Sequence, residues 1–192
     1  MATQIKYINN IGVEVSLAQV QDLEGFMKQH IINGVLFKEE IFKENHLIGT
    51  LFYVSSQLQI QNILQINPNA RFKYKYEQSG YVVLNHLVYK NNILTEKIIS
   101  VNDESNNTIC YQKNNLAGIT PNYLTTEKYY YDETGEVKYK FEYRADGDCL
   151  MIYDEQIDQA DVFPNTIGNP KQSFTWIEFE YYQFAEPLIP NN

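Results

Sequence analysis

The sequence predicts an α+β fold: an N-terminal amphipathic helix packed on a large, twisted, mostly antiparallel β-meander. Three observations carry this expectation. Apolar residues recur at three and four residues between Ser16 and His30, and mostly at every second residue afterwards. Clusters of Gly, Asn and Asp separate the alternating runs, as hairpin turns require. The 192 residues include 16 Tyr and 10 Phe against one Trp, an aromatic excess that suits pleated strands. A chain of this length reads as a single β-rich domain with its own core, holding about eight to ten strands.

The helix is expected over about 16–30, with Leu17, Val20, Leu23, Phe26 and Met27 on one face and Ser16 as N-cap. Gly34 closes the next turn, and the hairpin meander runs from about 35 to 155. Val35–Lys43 alternates Val35, Phe37, Glu39 and Ile41, and Leu47–Val54 is a second apolar run. Gln57–Ile66 fits a strand through Leu58, Ile60, Leu64 and Ile66, or a short helix through Leu58, Ile60, Ile63 and Leu64; a strand is the expectation. Arg71–Tyr76 and Tyr81–Tyr89 flank Glu77-Gln-Ser-Gly. Asn91-Asn92 has the residue type that a two-residue hairpin turn needs at positive φ. Ile93–Val101 and Thr108–Gln112 come next, then a looser stretch, Lys113–Asn122. Tyr123–Tyr131, Glu136–Tyr143 and Cys149–Tyr153 are joined by turns in which Gly135 and Gly147 take the left-handed place of a G1 bulge. Residues 156–172 read as a long loop, 173–184 as a last aromatic strand, and 185–192 as a tail.

Charge is segregated along the chain. Residues 1–144 carry 15 acids and 14 bases, whereas 145–192 carry nine acids and only Lys171 as a base. A region with a balance of −8 in 48 residues repels phosphate backbones and anionic lipid and attracts basic partners. Neither nucleic acid nor membrane is expected as a partner, and no run of 18 apolar residues suggests a membrane helix. The opening residues lack the apolar core of a secretory signal. Cys110 and Cys149 could form one disulfide but read as small buried hydrophobes, so the expected compartment is the reducing cytoplasm.

Chemistry-bearing motifs are sparse. His30, His46 and His86 lack zinc-ligand spacing. With Gly147 at the sixth place of a calcium loop, Arg144 falls where an oxygen donor is required. There is no Gly-x-Ser-x-Gly and no glycine-rich phosphate loop, and no cofactor is expected. A hydrolase or carbohydrate-active domain using Asp146, Asp148 or Asp154 is one alternative; a structural β-domain of a phage or secretion apparatus, forming a homo-oligomer, is another.

Tyr131-Asp-Glu-Thr-Gly-Glu-Val, Tyr143-Arg-Ala-Asp-Gly-Asp and Tyr153-Asp resemble the Tyr-Asp repeats of Rhs-type proteins. Asn33-Gly-Val-Leu-Phe-Lys-Glu and Ile48-Gly-Thr-Leu-Phe-Tyr are similar to the hairpin repeats of antitoxin-like, MORN-related families. The resemblance covers about a third of the chain and its motifs encode hairpins. It implies an immunity protein of a bacterial polymorphic-toxin system: a non-catalytic inhibitor that binds a cognate toxin with a basic surface. Charge then points to Asp146, Asp148, Asp154, Glu155, Asp158 and Asp161 as partner-binding residues, with Tyr153 as an aromatic anchor.

Overall fold

The computed structural model describes residues 2–115, 123–157 and 161–191. Its strands are β1 (Thr3–Asn9), β2 (Glu14–Val15), β3 (Gly25–Ile32), β4 (Val35–Lys43), β5 (His46–Val54), β6 (Arg71–Gln78), β7 (Tyr81–Lys90), β8 (Ile93–Asn102), β9 (Thr108–Asn115), β10 (Thr126–Tyr131), β11 (Val137–Tyr143) and β12 (Cys149–Asp154). Two α-helices accompany them among the described residues, α1 (Leu17–Val20) and α2 (Gln57–Leu64). The strand order is β12-β11-β10-β9-β8-β7-β6-β5-β4-β3-β1-β2. The protein is therefore mostly β with a mixed sheet, and the expectation of an N-terminal helix packed on a meander is wrong.

The helix expected over 16–30 stops after one turn. Ser16 and Gln19 form a capping box, but only Leu17–Val20 is helical. From Gly25 onward the backbone forms β3, which pairs with β1 on one side and β4 on the other. A helix through this segment would carry Gly25 in its interior at about 1 kcal/mol. The strand instead satisfies its amides on both sides and buries Phe26, which stacks on Phe42 with ring centroids 4.8 Å apart. The three-and-four spacing was fortuitous: Leu17 stands exposed.

Gln57–Ile66 is corrected in the opposite direction. Ser56 caps α2 by accepting from the Gln59 amide, and Ile60 is fully buried, with Ile63 and Leu64 beside it. The strand pattern relied on Leu58 and Ile66, and both are exposed. This helix is the crossover that lets β5 and β6 run parallel, which a two-residue hairpin cannot do. Residues 173–184 are the third correction. They form turns and a short 3-10 helix at Glu180–Tyr182 rather than a strand. Their aromatic rings pack inward from several directions, so alternation along a strand is not what buries them.

The turns follow the sequence closely. Asn91 and Asn92 have φ of 51° and 65°, the geometry of a two-residue hairpin. At both the β10–β11 and β11–β12 turns a glycine at φ +84° or +93° follows a type I turn. The Gly135 amide donates to the Asp132 carbonyl and the Gly147 amide to the Arg144 carbonyl, each 3.0 Å.

The chain divides into two compact units, Met1–Lys75 with His86–Thr95 and Tyr76–Asn85 with Glu96–Asn192. The first has a core of Phe52, Val54, Ile60, Ala70, Phe72 and Leu87. The second has two clusters, one centred on Phe141, Tyr143 and Ile152 and one on Val83, Val101 and Ile109. Charge divides more sharply by unit than along the sequence: 6 acids and 8 bases in the first, 18 acids and 7 bases in the second. Among the described residues no helix is long and apolar enough to cross a membrane.

Candidate functional site

All seven sequence-derived candidates belong to the second unit, where β9–β12 present two different faces. Register places Cys110, Lys128, Phe141 and Ile152 side by side on one face. The C-terminal segment covers that face: Val162, Phe174 and Ala185 are buried against it, with Trp176, Phe179 and Tyr182 packed alongside. Rings meet at close range there, Phe141 stacking on Tyr182 at 4.4 Å and Phe174 lying 5.1 Å from Phe179. The cover also occupies the outer edge of β12. Asp148 pairs with Phe184 and Ile152 with Val162, so that edge offers little free backbone for strand addition.

Lys128 holds the cover in place. Its side chain is completely buried, and Nζ donates to the carbonyls of Tyr181, Phe184 and Pro187 at 2.8, 2.8 and 2.9 Å. Three protons meet three acceptors, so the ammonium is fully satisfied. The Tyr181 ring lies 3.7 Å from Nζ and adds a cation–π contact. Burial pushes the Lys128 pKa down to about 8, with Cys110 and Glu186 acting the other way. Burial also lifts both thiols to about 12, which makes them poor nucleophiles. The two cysteines are free; register sets β9 and β12 three strands apart, roughly 14 Å, beyond disulfide reach.

The opposite face of the same strands is polar and rich in tyrosine. Lys113 pairs with Glu96 and Lys140 with Glu142, each at 3.0 Å. Tyr153 donates to Glu142 at 3.0 Å, and Lys140 sits 4.5 Å over its ring. Desolvation, followed by the Glu142 carboxylate, raises the Tyr153 pKa. The expected aromatic anchor is thus half-buried and already engaged within its own sheet.

The acidic candidates do not converge on one point. Asp146 and Asp148 are exposed in the β11–β12 turn. Asp154 and Glu155 lie at the other end of β12, about 17–20 Å along the strand. Asp154 caps its own turn, accepting from the Gln156 and Ile157 amides at 3.1 Å. Asp161 is exposed next to Val162, the bridge partner of Ile152. Asp158 lies outside the described residues. A hollow of about 470 Å³ lined by Ser79, Glu186 and Leu188 contains none of the seven, nor does one of about 460 Å³ lined by Tyr81, Asp103 and Glu104. Among the described residues no group of three or more His, Cys, Asp or Glu is placed to hold a metal ion.

What the described residues among these acids share is that none forms an ion pair. The ion pairs among the described residues use Glu14, Glu40, Glu96 and Glu142, and none uses an acid from 145–192. The sequence reading missed Lys128 and Phe184. The parity of β10 carried a signal for the first, since Thr126, Lys128 and Tyr130 share the covered face while Glu127 and Tyr129 face away. Nothing local marked Phe184, because its exposure follows from the path of the cover. No family model, no curated protein and no solved structure matches the chain.

Proposed function

We propose that the protein is a non-catalytic binding protein, an immunity protein that neutralises a toxin domain with a basic surface. The observation that carries this reading is the acidic charge of residues 145–192, which enters no ion pair among the described residues and is carried by β12, its flanking turns and the packed cover. Carboxylates without intramolecular partners keep their field available, and such a field steers a basic partner and raises its association rate. The placement of Asp146 and Asp154 at opposite ends of β12 supports a broad charged surface over a two-carboxylate hydrolytic cleft.

The test is protection. The reading requires a toxic domain encoded beside this chain, and co-expression should restore growth to cells making that domain. Purified together, the two should form a stable complex whose formation weakens as salt rises. Unrestored growth with no complex would remove the reading.

A further inference from the structure

We infer that Phe184 is the anchor by which this chain grips its basic partner, at the β11–β12 turn rather than at the Asp154–Asp161 end; the inference rests on the binding reading above. Phe184 is 52% exposed although it sits in the segment that supplies the aromatic core. Its backbone is fixed on three sides. It pairs with Asp148, its carbonyl accepts from Lys128 at 2.8 Å, and the adjoining Ala185 amide donates to the Gly147 carbonyl at 2.8 Å. A large ring presented on an immobilised backbone loses little conformational freedom on binding, which is the property of interface hot spots.

The surroundings specify the partner's chemistry. The Tyr123 ring packs on Gly147, where an added Cβ would stand 3.3 Å from it, and this brings the exposed Leu124 to the same turn. Asp146 and Asp148 are exposed in the same turn, the exposed Glu186 follows Phe184 by two residues, and none of the three is in an ion pair among the described residues. An apolar spot with an acidic rim fits a protein surface that offers an apolar pocket among Lys and Arg side chains. It does not fit a nucleic acid or an anionic lipid, which the rim repels.

The experiment compares the two ends with one probe, the toxic domain encoded beside the chain, purified in an inactive form. Phe184→Ala should weaken binding by at least 30-fold, mostly through faster dissociation, with the thermal midpoint close to that of the parent. Ile157→Ala, which removes an exposed apolar side chain beside Asp154 at the other end, should change affinity less than 3-fold. If Phe184→Ala binds like the parent while the parent complex forms, the anchor assignment is wrong and the binding reading stands. If the parent binds no such domain, both fall.

Discussion

Two buried or half-buried charges test the account at single residues. Lys128→Met removes three charge-assisted hydrogen bonds and leaves the Tyr181, Phe184 and Pro187 carbonyls to find other donors. The expected loss is about 2–4 kcal/mol in urea unfolding, together with faster amide exchange in the C-terminal segment. Unchanged exchange there would show that ring packing alone holds the cover. Glu40 is the second case, with Lys38 at 2.6 Å, His30 at 2.9 Å and Lys28 at 3.7 Å around one carboxylate. Burial works to raise its pKa, yet the Lys38 and His30 hydrogen bonds and charges bring it to about 2. A depressed carboxylate contributes stability that is complete above its ordinary value near 4.5 and is lost as pH falls toward 2. Glu40→Gln should therefore cost about 1–2 kcal/mol at neutral pH after allowance for solvent screening. It should also flatten the fall in stability between pH 4.5 and 2. An acid limb as steep as the parent's would place the titrating group elsewhere.

Turns were legible in the sequence and helices were not, for a physical reason. A hairpin turn is decided by a few residues whose backbone must take positive φ, and Asn91-Asn92, Gly135 and Gly147 state that requirement locally. Gly135 and Gly147 differ in what surrounds them, and this separates conformational cost from steric cost. Gly135→Ala meets no atom within 4 Å and should lose about 1 kcal/mol from φ alone. Gly147→Ala also drives a methyl toward the Tyr123 ring at 3.3 Å and should lose more, about 2 kcal/mol. Equal losses in thermal or urea melts would mean that Tyr123 moves aside freely. Helices depend on what lies across from them. Phe26 and Met27 fit a helical face as written, but strands β1 and β4 were available to pair with that segment. Gln57–Leu64 became helical because a parallel β5–β6 pair needs a crossover. The last segment failed as a strand because its rings fill a cover over β10–β12, and Glu178 sits there at φ 70° where a type II turn prefers glycine. Glu178→Gly should accordingly stabilise the free protein by about 0.5–1 kcal/mol. A destabilised variant would reveal a compensating contact of the Glu178 side chain.

For the whole molecule, the sequence revealed that acidic charge gathers toward the C-terminus but not how that charge is arranged. Composition alone could not show that β12 would separate Asp146 and Asp148 from Asp154 and Glu155, since strand length and turn position decide it. Nor could it show that Tyr153 would be tied to Glu142 and Lys140 while Phe184 stood open. On the proposed binding reading, labour would divide across the second unit: unpaired carboxylates would set the encounter rate, and one immobilised ring the lifetime of the complex. The most direct measurement is the association rate of the chain with the toxic domain encoded beside it, across salt from about 20 to 500 mM. The parent rate should fall steeply as the Debye length contracts from roughly 20 Å to about 4 Å over that range. A variant with Asp146, Asp148, Asp154 and Glu155 changed together to their amides should associate more slowly at low salt and lose most of that dependence, with its fold intact. A neutralised variant that associates as fast as the parent at every salt concentration would contradict the account.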